Sequence, residues 1–136
     1  NAEVGALLQA FPPEDAKARF LRGATAQRLA VEAPDNLASL LGFFTRPDPQ
    51  TTAQLLTAIS ADGPGVTREQ VSQIAVPTLV IGNAQDAVHP LPLAEKLAGL
   101  IPGATCIEIT AKAKDRPRHV AEFRHHLNSF LKGLEP

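Results

Sequence analysis

Methionine, tryptophan and tyrosine are absent from these 136 residues, and cysteine occurs once, at Cys106. Without a methionine, residue 1 is not a translational start, so the chain is expected to be a piece of something longer. One cysteine cannot close an internal disulfide, and reducing cytoplasm is the expected compartment. Six phenylalanines supply all the aromatic volume. An excess of one charge is lacking too: 13 Lys and Arg stand against 14 Asp and Glu, a net −1. That balance gives no basic stripe for nucleic acid and no polybasic arm for a membrane. The longest apolar stretch, around Ile74 to Gly82, is interrupted by Pro77 and falls far short of the ~20 residues a spanning helix needs. The opening NAEVGALLQAF has neither the basic flank nor the long apolar centre of a signal peptide. What is present is ordinary for a globular chain, 44% hydrophobic and 20% charged residues, at a length that suits a compact domain.

The pattern up to residue 73 is helical. Val4, Leu7, Leu8 and Phe11 share one helical face, and Pro12-Pro13 ends that segment. Glu14-Asp15 opens a second segment carrying Phe20 and Leu21. Pro34-Asp35 predicts a third start with Asp35 as N-cap, and Leu37, Leu40, Leu41 and Phe44 form its apolar face. After the break at Arg46-Pro47-Asp48-Pro49, Thr51-Thr52-Ala53-Gln54 has the spacing of a capping box ahead of Leu55, Leu56 and Ile59. Asp62-Gly63-Pro64-Gly65 is a turn, and Thr67-Arg68-Glu69-Gln70 is a second capping-box match.

From residue 74 onward the period changes. Val76 to Ile81 is a short apolar run of the kind that forms a parallel strand buried on both faces, ending at Gly82-Asn83. Pro90-Leu91-Pro92 opens a helix that Pro102-Gly103 closes. Thr105 to Ile109 is a second strand, and Asp115-Arg116-Pro117 starts a last helix whose apolar face is Val120, Phe123, Leu127, Phe130, Leu131 and Leu134. The fold class expected is therefore α/β: a helical segment, 1–73, followed by a right-handed βαβα unit with two parallel strands, 74–136. Two such strands lack neighbours, and their open edges invite pairing with another chain.

The stretch VPTLVIGNAQDAVHP, Val76 to Pro90, resembles the α/β-hydrolase superfamily: an apolar strand, a glycine, a short turn holding an acidic residue, and a proline opening a helix. LAEKLAGLIPGATCIEI is similar to the helix and last strand of that fold, and EFRHHLNSFL to its C-terminal helix. The resemblance spans residues 74–134 and implies that 1–73 corresponds to the lid inserted before the last strands. It implies further that Asp86 holds the position of the triad acid, just beyond the carboxyl end of a parallel strand. Read from its local context alone, Asp86 equally suits a turn or a cap on the following helix. The family's histidine follows the last strand in a glycine-containing loop. Here that loop, Thr110 to Arg116, has neither Gly nor His, and the nearest candidate base is His119 in the first turn of the last helix. Lys112, Lys114 and Asp115 are further polar groups in that region, Asp115 serving equally well as an N-cap.

The nucleophile is missing. None of Ser39, Ser60, Ser72 or Ser129 has a glycine two residues away, as a Gly-x-Ser-x-Gly elbow requires, and Cys106 lies within a predicted strand. The four histidines do not make a metal site by spacing. His125 and His126 diverge by about 100° on a helix, and His119 lies about 10 Å from His126. No cofactor is expected. The resemblance implies a C-terminal part of a hydrolase, its intact parent acting on an ester, lactone or similar small apolar substrate, with Asp86 orienting His119 and the fragment itself inactive. The other reading is a non-catalytic binding or assembly domain, a homodimer formed through a strand edge or the lid helices.

Overall fold

The computed structural model describes residues 1–134 as two compact units, Asn1–Pro64 and Gly65 onward, dividing slightly before the change of period. The first is built from five helices: α1 (Ala2–Ala10), α2 (Pro13–Arg22), α3 (Ala24–Glu32), α4 (Pro34–Phe43) and α5 (Pro49–Ala61). The second runs α6 (Arg68–Ser72), β1 (Leu79–Gly82), α7 (Leu91–Leu100), β2 (Thr105–Glu108) and α8 (Arg116–Lys132). Among the described residues no helix is long and apolar enough to cross a membrane.

Helix starts in this chain are set largely by proline. Pro13, Pro34 and Pro49 each stand at the first helical position of α2, α4 and α5, where the missing N–H is no loss and the fixed φ is already helical. This rule displaces two expected caps. Pro34 draws the start of α4 back to Ala33, leaving Asp35 inside the first turn rather than at the N-cap. Pro49 likewise moves the cap of α5 from Thr51 to Asp48, whose carboxylate accepts the Thr51 amide at 2.9 Å and the Thr51 hydroxyl at 2.6 Å. Those two bonds, the hydroxyl foremost, hold the Asp48 carboxyl below its usual pKa. The expected second helical segment is in fact two helices, α2 and α3, parted by extended Gly23. At α6 the capping box forms in full, with Thr67 Oγ1 accepting the Gln70 amide and Gln70 Oε1 accepting the Thr67 amide.

The first unit has a true core. Val4, Leu8, Ala16, Phe20, Leu29, Leu40, Phe44, Ala53 and Leu56 are buried together, and the Phe20 and Phe44 rings pack tilted at 5.7 Å. The seam of α1 against α5 depends on Gly5. A Cβ there would lie 3.0 Å from Thr57 Oγ1 and 3.1 Å from the Ala53 carbonyl oxygen.

The second unit is covered far more thinly. β1 and β2 pair in parallel with Leu79 opposite Thr105 and Gly82 opposite Glu108. Backbone bonds from Thr105 to Thr78 and from Ile109 to Gly82 extend the ladder at both ends. The strand expected from Val76 begins at Leu79, because Pro77 has no N–H to donate and Val76 is 66% exposed. The burial expected on both faces is not found: β1 is half-buried throughout, and β2 is exposed at both ends. α7 packs on both strands, burying its own Ala98 and the Ile101 at its C-cap. The long α8 buries no residue at all. Val120, Phe123, Leu131 and Leu134 of its expected apolar face are exposed, while Leu127 and Phe130 are half-buried.

Gly82 sets how closely α7 approaches β1. A Cβ at that position would stand 2.9 Å from Leu91 Cδ1 and 3.2 Å from Ala94 Cβ. Gly82→Val is therefore expected to cost the second unit about 1–3 kcal/mol by overpacking, and Gly82→Ala less, since the Leu91 methyl can swing aside. Urea unfolding followed by far-UV ellipticity measures the loss, and faster amide exchange at Val80 and Ile81 assigns it to the sheet. Unchanged exchange in both variants would sink this account.

Candidate functional site

A cleft of about 460 Å³ opens at the carboxyl ends of β1 and β2, where parallel sheets present their ligand-binding loops. Its walls are apolar, with Val80, Ile109, Leu97 and Phe123 among them, and its polar groups are Asn83, Asp86, His89 and His119. Both residues singled out by sequence, Asp86 and His119, line this one cleft. The turn after β1 delivers Asp86, and the first turn of α8 delivers His119.

Asp86 organises its own turn. Its Oδ1 accepts the backbone amides of Val88 and His89, each at 2.9 Å, so the carboxylate does the work of a turn-stabilising group as well as facing the cleft. Its Oδ2 lies 3.5 Å from His89 Nδ1, on a ring that is 83% exposed. Just before it, Asn83 Oδ1 accepts the Gln85 amide at 3.0 Å, so side-chain oxygens brace the connection from β1 toward α7 at two places.

His119 is held differently. Its Nδ1 lies 2.8 Å from the Thr110 carbonyl oxygen. A carbonyl oxygen can only accept, so Nδ1 carries the proton, and in the neutral ring Nε2 keeps its lone pair. The element that orients the imidazole is thus a backbone carbonyl of the loop after β2. Thr110 is held at its other end too. Its amide donates to Glu122 Oε2 at 2.6 Å, and Glu122 Oε1 accepts from Arg118 Nε at 2.6 Å. His119 and Glu122 stand one turn apart on α8 and grip the two backbone polar groups of a single residue. Asp115 caps the helix, accepting the Arg118 amide at 3.0 Å, as its sequence position allowed.

Sequence reasoning missed Thr110, Arg118 and Glu122 as parts of this site. The i,i+4 spacing of Arg118 and Glu122 signals an ion pair on a helix face. Nothing in that spacing tells that the carboxylate also reaches a backbone amide twelve residues earlier. Cys106 is half-buried on β2. The His125 and His126 rings meet edge to face at 5.1 Å. Among the described residues no three His, Cys, Asp or Glu side chains gather to hold a metal ion.

The bond from the Thr110 amide, followed by that from Arg118, pulls the Glu122 carboxyl from its ordinary 4.5 down to about 2. A depressed carboxylate stabilises the fold above its unfolded pKa and ceases to do so as pH falls through its folded value. Protection of the Thr110 amide from exchange, relative to Glu122→Gln, is therefore expected to be full above about pH 4.5 and to fade toward about pH 2. A wild-type profile that parallels the Gln variant across this window would show that the charge does no such work. Set against protein-family models, curated proteins and solved structures, the chain matches none of them.

Proposed function

We propose that the second unit carries the acid and base arms of a serine-type hydrolytic site of the α/β-hydrolase kind, with the helical residues 1–73 as its lid. The observation that carries this reading is the meeting of Asp86 and His119 in one cleft beyond the carboxyl ends of two parallel strands. The order of strand, glycine, acid-bearing turn, helix, strand and histidine-bearing helix supports it. In this reading the serine comes from a part of the parent outside this sequence, and the 136-residue chain alone is inactive. His119 Nε2 takes the proton from the serine hydroxyl as its oxygen attacks the acyl carbon, then returns that proton to the departing alkoxide. The cation formed meanwhile is stabilised by the Thr110 carbonyl at Nδ1 and by the Asp86 carboxylate in the same cleft. The apolar walls suit the acyl group of a small ester or lactone.

The test is made on the full gene product that contains this sequence, assayed on a panel of p-nitrophenyl esters. His119→Ala is expected to lower kcat by roughly 10²–10⁴, with KM little changed. A variant as fast as the wild type removes His119 from the chemistry and ends this reading.

One observation favours a second reading, a non-catalytic assembly module that forms a homodimer. Among the described residues each strand of the sheet has an edge without a partner strand, and Leu93, Leu97, Val120 and Phe123 are exposed on the same unit. That reading expects the 136-residue chain to be dimeric by light scattering; a monomer across the accessible concentration range excludes it.

A further inference from the structure

The described contacts place a carboxylate, a backbone residue and an imidazole in series: Arg118 Nε to Glu122 Oε1, Thr110 N–H to Glu122 Oε2, and His119 Nδ1 to the Thr110 carbonyl. We propose that Glu122 is a positioning residue for His119. By holding the Thr110 amide it fixes the carbonyl that keeps the imidazole proton on Nδ1 and leaves Nε2 as the basic nitrogen. The catalytic meaning of this inference rests on the proposed role of His119 as a base, while the tautomer it specifies does not.

Three observations carry it. The Thr110 carbonyl can only accept, so the ring nitrogen that faces it must carry the proton. Thr110 lies in a loop, not in the ladder of β1 with β2, so strand pairing does not fix that carbonyl. α8 buries none of its residues, so its register against the loop depends on polar contacts more than on packing. Glu122 supplies the anchor, and the bond is strong because the acceptor is ionised. Arg118, one turn earlier on α8, holds the second carboxylate oxygen and limits the rotamers Glu122 can take.

The measurement is the tautomeric state of His119, read from the ¹⁵N chemical shifts and long-range couplings of the imidazole. It is made on the labelled 136-residue chain at a pH where histidine is neutral. The expected result is a His119 dominated by the Nδ1–H form. Glu122→Ala is expected to shift the His119 ratio toward Nε2–H by roughly tenfold. Glu122→Gln, whose amide oxygen still accepts the Thr110 N–H, restores most of it. A wild-type His119 in the Nε2–H form overturns the proposal, as does a Glu122→Ala chain that keeps the wild-type ratio, or a Gln variant no better than Ala. Should Glu122→Ala unfold the unit, Arg118→Gln loosens the same anchor more gently. It must move the ratio part of the way, and no movement counts against the proposal. If the tautomer responds as expected but His119→Ala leaves ester hydrolysis by the full gene product intact, the positioning stands and the hydrolase reading falls.

Discussion

Thr110 gives its amide proton to Glu122 and its carbonyl oxygen to His119, and the placement of the start of α8 follows from that pair of bonds. The helix has no buried residue with which to lock itself in place. Apolar contact is non-directional and tolerates sliding, whereas two hydrogen bonds to opposite ends of one residue tolerate almost none. The cleft beyond the strands inherits its shape from this grip. His119 and Phe123 line it from α8, Val80 and Gly82 from β1, and Leu97 from α7. Were α8 to turn by a single residue, the imidazole would leave the cleft and a neighbouring side chain would take its place.

The two units solve the problem of stability by different means. In the first, short helices bury Phe20, Leu56 and Val4 almost completely, with proline fixing where α2, α4 and α5 begin. Burial of that kind supplies the main favourable term of folding. In the second, the buried hydrophobic residues among those described are Ala98, Ile101, Ile109 and Ala111, and the four residues of β1 are half-buried. Directional bonds take a larger share there: the Asp86 turn, the parallel ladder, the Asp115 cap and the Thr110 grip. Sites with chemistry to perform are commonly carried on such lightly packed parts.

How much of this could be read from the residues varies with the range of the interaction involved. Elements whose signals lie within a few residues were legible: the break at Pro12-Pro13, the capping box at Thr67, the switch to β-branched runs, the cap at Asp115. The errors at Asp35 and Thr51 came from ranking a polar cap above an adjacent proline, and proline at the first helical position prevailed both times. The loss of strand from Val76 to Thr78 has the same origin, a proline without an amide proton. That Asp86 and His119 line one cleft was an expectation of the resemblance alone, and the βαβα order is compatible with it, since both loops lie at the same end of the sheet. Their partners were not. Whether Asp86 accepts from Val88 and His89, or Thr110 from His119, depends on loop conformation that no periodicity encodes. Exposure of the α8 apolar positions was equally illegible, because a helical stripe tells which residues share a face and not whether anything covers them.

Gly82 has a consequence for how such a sequence can diverge. The space above it is shared between the end of Leu91 and the methyl of Ala94, so residues 82, 91 and 94 together fill one fixed volume. A mutation that enlarges any one of them must be accompanied by shrinkage at another, or α7 lifts and widens the cleft beside it. The three positions should therefore drift as a correlated set, and the width of the cleft is inherited through a residue that has no side chain of its own.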